Sequence, residues 1–225
     1  MSWSEWAGEV EIEPSIYASD FSRLGEQLGA VQAAGARVFH FDVGDGHFIP
    51  EITIGPIVAS SISPLVRGWG TRLDCHLMVS EPEKHFEAIA KAGGDSVTFH
   101  IEAVRNPAAV ARLAREHELQ VGLAFKPETE PEQAAEIAEP FDLVLCMSIE
   151  PGYSGQPFMP EALPRIERLR GLLPAEKPIQ VDGGVGRDNI RLLQDAGASL
   201  FVAGTSTFGR DDIAQAYEEL VQEAT

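Results

Sequence analysis

Short runs of β-branched and apolar residues alternate along the chain with longer segments whose apolar positions recur at helical spacing. The short runs predict strands at Val10–Ile16, Arg37–Val43, Thr71–Met78, Ser96–His100, Gln120–Phe125, Leu143–Ser148, Pro178–Asp182 and Ser199–Gly204. Phe21–Ala34, Pro82–Ala92, Pro107–His117, Leu163–Leu173, Asn189–Ala196 and Ile213–Glu223 read as helices, many opened by Pro, Asn or an acidic residue. Gly35, Gly93 and Gly197 each follow an Ala-rich helix end and precede a strand.

Evenly spaced strands, each followed by a helix, predict an α/β fold closed into a parallel (β/α)8 TIM barrel; an open doubly wound sheet explains the even spacing less well. The longest gaps follow Asp42 and Met147, and each holds a Gly/Pro-rich loop: 44–50 and 151–158. Loops after the strands of such a barrel build its active site, so long loops there predict a covered pocket. The chain reads as one domain over residues 1–225, with residues 1–9 a flexible N-terminal extension.

Composition narrows the partners. Of 225 residues, 44% are hydrophobic, enough for one sizeable core. Formal charge is 17 − 35 = −18, which disfavours nucleic acid and anionic membrane surfaces. An anionic substrate must then be held by local donors such as backbone N–H groups in Gly-rich turns. No apolar run reaches the roughly 18 residues of a membrane span, and the first residues lack a secretory pattern, so a cytoplasmic location is expected. Cys75 and Cys146 lie in apolar runs without metal-binding spacing and read as buried free thiols.

Polar residues interrupt the apolar strands near their C-terminal ends. His40 and Asp42 share one face of strand 2 by the period of two; Asp74, His76 and Met78 share a face of strand 3, Thr98 and His100 of strand 4, and Gln180 and Asp182 of strand 7. Each taken singly is read best as a satisfied core or rim residue. Together, His40, Asp42, His76 and Asp182 at one end of one barrel make a candidate site for Zn2+, Fe2+, Mn2+ or Co2+. Asp182-Gly183-Gly184-Val185-Gly186 and Ala203-Gly204-Thr205-Ser206 follow strands 7 and 8, where barrels of this kind often bind phosphate.

These segments resemble the ribulose-phosphate 3-epimerase family over about residues 14–208. The likeness is carried by Pro14-Ser15-Ile16 with Asp20-Phe21, by His40-Phe41-Asp42-Val43-Gly44-Asp45-Gly46-His47-Phe48-Ile49-Pro50, by His76-Leu77-Met78 and Thr98-Phe99-His100-Ile101-Glu102, and by Met147, Pro151-Gly152-Tyr153-Ser154-Gly155-Gln156 and Val181-Asp182-Gly183-Gly184. The resemblance implies a barrel of the ribulose-phosphate-binding type and a metal-dependent epimerisation at C3 of a phosphorylated ketose, with D-ribulose 5-phosphate and D-xylulose 5-phosphate as the first expectation. It implies one divalent ion, Zn2+ before Fe2+, Mn2+ or Co2+, held by His40, Asp42, His76 and Asp182. Asp42 and Asp182 also match the acid/base pair. Ser15, His76, Met78 and Met147 match substrate contacts, and Gly152, Tyr153, Ser154, Gly155, Gly183, Gly184, Gly204 and Thr205 match the phosphate-binding elements. A homo-oligomer is implied as well.

The sequence departs from the family at Gly44, where a third methionine is usual, and at Tyr17, Glu51, Tyr153 and Ser154. A side chain at position 44 is expected to point into the pocket, so Gly44 predicts vacated space beside Asp42 that Tyr17 fills. Other stretches lean toward allulose-6-phosphate 3-epimerases, which keeps a ketohexose 6-phosphate open as substrate. A sugar-phosphate lyase or decarboxylase on the same barrel is a further alternative, disfavoured because no strand-end Lys accompanies Asp42.

Overall fold

The computed structural model describes residue 3 and residues 9–224. Its strands are β1 (Glu11–Pro14), β2 (Val38–Gly44), β3 (Arg72–Met78), β4 (Ser96–His100), β5 (Gln120–Phe125), β6 (Leu143–Met147), β7 (Ile179–Asp182) and β8 (Leu200–Ala203). The helices are α1 (Leu24–Ala33), α2 (Pro56–Trp69), α3 (Phe86–Ala92), α4 (Pro107–Glu116), α5 (Pro131–Glu136), α6 (Ala162–Leu172), α7 (Ile190–Asp195), the short α8 (Thr205–Phe208) and α9 (Ile213–Ala224). All strand pairs are parallel in the order β1-β8-β7-β6-β5-β4-β3-β2. A parallel bridge between Ser15 and His40 joins β1 to β2. The sheet therefore closes on itself as a (β/α)8 barrel.

Alternation along the strands builds two interiors. Phe39, Phe41, Leu73, Leu77, Val97 and Phe99 point outward into the apolar layer beneath the helices. Val38, Ala124, Leu143, Leu145, Met147 and Leu200 form an inner apolar cluster that also takes in Trp3. The expectation of a flexible extension over residues 1–9 falls mostly outside the described residues, but Trp3 itself is buried, 3% exposed, and lies beside Lys177, Pro178 and Leu200 at the starts of β7 and β8.

The rest of the barrel's inside is polar. Asp74 Oδ1 accepts from Ser96 Oγ at 2.5 Å, and its Oδ2 accepts from Gln180 Nε2 at 2.9 Å. Gln180 Nε2 also donates to Glu13 Oε2 at 2.7 Å. Burial outweighs the attraction of His40 and raises the Glu13 carboxyl to about 8, so it carries its proton at neutral pH. Hydrogen bonding makes such burial tolerable: an unpartnered polar group in this position costs on the order of 1–3 kcal/mol.

Elements differ from expectation where local chemistry is unusual. The segment predicted as strand through Ile16 turns into a 3-10 turn at Ile16–Ala18. The predicted helix from Phe21 starts as a 3-10 turn capped by the Asp20 carboxylate, which accepts from Ser22 N. Helices α2 and α5 fill places where the fold calls for a helix but the apolar pattern delimits none. The α2 stretch holds three serines and an internal Pro64, which hide it from propensity. Helix α5 has only 6 residues and is fixed by a capping box between Glu130 and Gln133.

Candidate active site and metal centre

The C-terminal ends of the strands bring the predicted residues to one cavity. Ser15, Asp42, Met78, Met147 and Asp182 line it from β1, β2, β3, β6 and β7 or the residues just beyond them. Gly152, Tyr153, Ser154 and Gly155 of the loop after β6 line one side, and Gly183, Gly184, Gly204 and Thr205 another. Tyr17, Ile149, Val185 and Val202 also line the cavity. His40 and His76 have no exposed surface and lie behind the two carboxylates. His76 is not among the residues lining the cavity, where a substrate contact was expected of it.

Ligand atoms of His40, Asp42, His76 and Asp182 all lie within 4.8 Å of one another. His40 Nε2 is 3.3 Å from Asp42 Oδ1 and 3.8 Å from Asp182 Oδ2, and His76 Nδ1 is 3.3 Å and 3.4 Å from the same oxygens. These two ring nitrogens are buried and have no hydrogen-bond partner. Two orphaned imidazole nitrogens and two carboxylates aimed at one point form an N2O2 donor set suited to Zn2+, Fe2+, Mn2+ or Co2+. The residues thus fit the group the family implies. In the protein alone they compensate one another. Burial pushes both imidazoliums down, yet the carboxylates of Asp42 and Asp74 and a hydrogen bond to Glu13 hold His40 well above the usual histidine range, and Asp182 and Asp42 raise His76. Burial would raise Asp42, but His40 and His76 hold it well below the usual carboxylate range.

Each member is held by a neighbour. Ser15 Oγ donates to Asp42 Oδ2 at 2.6 Å. His40 Nδ1 lies 3.1 Å from Asp74 Oδ2, so its other nitrogen is turned to the site. Ser148 backs Asp182: its N–H donates to Asp182 O at 2.8 Å, and its hydroxyl lies 2.9 Å from that oxygen and 2.6 Å from Gly183 O. Arg165 Nη1 donates to Met147 O at 3.1 Å, pinning the end of β6. His76 Nε2 is 2.8 Å from His100 Nε2 in a stacked pair. Burial lowers His100 to about 4, so it is neutral near pH 7. Sequence reasoning placed Asp74, His100 and Gln180 on the inward face but gave them no part. A polar residue two positions from a proposed ligand on the same strand face was the signal available.

The phosphate-side loops approach closely. A Cβ on Gly183 would meet Ile149 Cγ1 at 2.3 Å, and one on Gly184 would meet Phe158 N at 2.6 Å; φ is +119° and +63°. Only glycine fits both the space and the backbone there. Helix α8 begins at Thr205, so the N–H groups of Thr205 and Ser206 have no partner within the helix. None of the described residues lining the cavity is Lys or Arg. An anion would therefore be held by backbone N–H groups and by hydroxyls such as those of Ser154 and Thr205.

Gly44 corrects one expectation. A Cβ there would meet Ile49 Cδ1 at 2.6 Å, Glu51 O at 3.0 Å and Thr53 Cγ2 at 3.1 Å. The position faces the loop between β2 and α2, not the cavity, and Ile49 and Thr53 occupy the space, not Tyr17. Gly44 N also donates to Thr53 Oγ1 at 2.7 Å. Gly44→Met should therefore destabilise the fold by about 1–3 kcal/mol through overpacking. Denaturant unfolding would show it, and kcat/KM should fall together for five- and six-carbon substrates. A selective loss on the larger sugar with unchanged stability would restore the pocket-size reading.

Comparison with known proteins follows the same outline. The sequence profile of the ribulose-phosphate 3 epimerase family matches residues 11–208. A ribulose-phosphate 3-epimerase of Candida glabrata is 42% identical over 214 residues, 89% of this chain and 87% of that one. One of Mycobacterium tuberculosis is 41% identical over 217 residues, covering 95% of this chain and 92% of that one. Among solved structures, KGPDC from Streptococcus mutans superposes with a TM-score of 0.71 at 12% identity, covering 96% and 97% of the two chains, a likeness of fold. No helix among the described residues is long and apolar enough to cross a membrane.

Proposed function

Because the chain belongs to the ribulose-phosphate 3 epimerase family, we propose that it inverts C3 of a phosphorylated ketose, interconverting D-ribulose 5-phosphate and D-xylulose 5-phosphate, within a single (β/α)8 domain. The observation that carries this reading is the convergence of Asp42 and Asp182. They reach one cavity from β2 and β7, which are not neighbours in the sheet, with two orphaned imidazole nitrogens directed at the same point. The names of the relatives support the pentulose.

A proton at C3 lies α to the C2 carbonyl. Its removal gives a planar 2,3-enediolate, and inversion requires the new proton to arrive on the opposite face. One fixed base cannot serve both faces, so one of Asp42 and Asp182 takes the proton and the other returns one. Which of them is the base depends on the epimer that enters. Ser15 donates to Asp42 and so holds the direction of that carboxylate. Met78 and Met147 supply an apolar wall that limits water near the reacting carbons. The phosphate rests against the loops of Gly183–Gly184, Gly204–Thr205 and Gly152–Gly155. His40, Asp42, His76 and Asp182 would hold one divalent ion, Zn2+ before Fe2+, Mn2+ or Co2+, which when bound draws negative charge from the substrate oxygens as a Lewis acid. A cytoplasmic, homo-oligomeric enzyme belongs to the same reading, on the support of the family alone.

The test is a coupled assay of the purified protein against a panel of five- and six-carbon ketose phosphates. The pentulose 5-phosphates should give the highest kcat/KM. A preference for a ketohexose 6-phosphate would replace the sugar while keeping the chemistry, and carbon–carbon cleavage or loss of CO2 would overturn the reading.

A further inference from the structure

Of the two buried site imidazoles, His76 is the one whose far nitrogen meets another imidazole. Its Nε2 lies 2.8 Å from His100 Nε2, a separation that requires one proton between them. Both rings are fully buried, so no solvent supplies a second donor or acceptor. The proton's owner decides what His76 offers on its other side. If His76 holds it, Nδ1 presents a lone pair toward Asp42 and Asp182; if His100 holds it, a neutral His76 carries its proton on Nδ1 and cannot act as a ligand there.

The far side of His100 supplies the bias. Its Nδ1 is buried, and Glu102 Oε2, 3.4 Å away, is the one carboxylate oxygen within 4.0 Å among the described residues. This is longer than a formed hydrogen bond, but the carboxylate is firmly placed: Glu102 Oε1 accepts from Lys126 N at 2.9 Å and from Thr129 Oγ1 at 2.5 Å. A carboxylate accepts and does not donate, so it favours a proton on His100 Nδ1, which empties His100 Nε2 to accept from His76. The pull from Asp42 and Asp182, which attract a proton to His76 Nδ1, acts in the opposite sense.

We propose that Glu102, acting through His100, is a positioning residue that fixes the proton on His76 Nε2 and so keeps His76 Nδ1 as a lone-pair donor at the Asp42–Asp182 site. The order runs from the site outward: His76 Nδ1 bare, His76 Nε2–H donating to His100 Nε2, His100 Nδ1–H facing Glu102. The inference rests on the metal reading above for its purpose: the outer part of the order, His76 Nε2–H to His100 and His100 Nδ1–H to Glu102, belongs to the protein alone, whereas the bare Nδ1 belongs to the metal-bound state, because Asp42 and Asp182 otherwise draw a proton to it. Glu102→Gln is the informative change. The glutamine must turn its oxygen toward Lys126 N and Thr129 Oγ1, which leaves its NH2 facing His100 Nδ1. That reverses the order and places a proton on His76 Nδ1.

The experiment has two readouts on the full chain labelled with 15N-histidine. Long-range 15N–1H NMR at neutral pH, assigned by single-histidine substitution, reports the tautomer of His100. Competition with a chromophoric chelator reports affinity for Zn2+ alone. In the wild type His100 should be the Nδ1–H tautomer with and without Zn2+. In Glu102→Gln it should be Nε2–H without Zn2+, with Zn2+ bound about 10- to 100-fold more weakly and the thermal midpoint of the zinc-free protein close to wild type. An Nε2–H tautomer of His100 in the wild type overturns the proposal, as does wild-type zinc affinity in the folded variant. If the variant does not fold, the wild-type spectrum decides. A wild type that binds no Zn2+ yet shows the Nδ1–H tautomer defeats the metal reading and leaves the proton order standing.

Discussion

Asp42→Asn and Asp182→Asn are each expected to lower turnover by roughly 10²–10⁴-fold, the contribution of one positioned acid or base. Both carboxylates line the cavity, and their oxygens belong to a cluster no wider than 4.8 Å. Asparagine keeps the shape, and at position 42 it can still accept from Ser15, but each change also removes a charged ligand of the proposed ion, so rates are to be compared at equal metal content before their loss is read as loss of the proton carrier. The two variants should also fail differently. With one carboxylate gone, the other still removes and replaces a proton on its own face. In D2O each variant should exchange the C3 hydrogen of one epimer without converting it, and the two variants should choose opposite epimers. Exchange of the same epimer by both would mean that Asp42 and Asp182 do not divide the two faces. Retention of the original C3 hydrogen in the wild-type product would rule out proton transfer to and from solvent-exchanging groups.

Chelation is expected to have the next largest effect. A Lewis-acid contribution of several kcal/mol corresponds to roughly a thousandfold in rate or more, at 1.36 kcal/mol per tenfold. Treatment with a strong chelator should abolish measurable turnover, and stoichiometric Zn2+, Fe2+, Mn2+ or Co2+ should restore it. The protein should remain folded, since the imidazoles of His40 and His76 and the carboxylate of Asp42 stabilise one another in the protein alone. Turnover, metal content and circular dichroism measured on one sample separate these effects. Full activity at a metal content far below stoichiometric would show that the four residues do their work unaided.

The sequence made the barrel and its loaded end readable because parallel strands buried on both faces are conspicuous when they carry charge. In β2, His40 and Asp42 interrupt Phe39, Phe41 and Val43, and in β3 His76 stands between Cys75 and Leu77. The partners were less legible, because they depend on register between strands. Asp74 supports His40 only because β2 and β3 pair those two positions. Glu13 enters the same network from the opposite end of the chain through Gln180. Gly44 misled for a related reason: the period of two gave the face correctly, but the loop that folds back over the strand end, with Ile49 and Thr53, cannot be placed from periodicity. Helix α2 was hidden by Pro64 and its serines, and its burial of Ala59, Ile62 and Val66 explains why it forms regardless.

A barrel opens where its strands are least joined. Seven register positions join β2 to β3 and three join β7 to β8, whereas β1 meets β2 at the single bridge between Ser15 and His40. Breathing of the cylinder therefore concentrates at this seam, and backbone amides flanking it should exchange through smaller excursions than those of the far wall. At the mouth the clasp across it is the Ser15–Asp42 hydrogen bond at 2.6 Å, backed by His40, and at the other end Arg37 Nη2 donates to Glu11 Oε2 at 2.5 Å. The mouth-side latch and the chemistry thus share the same side chains, and a motion that parts the seam from the mouth disturbs the site while the Arg37–Glu11 pair still holds the far end.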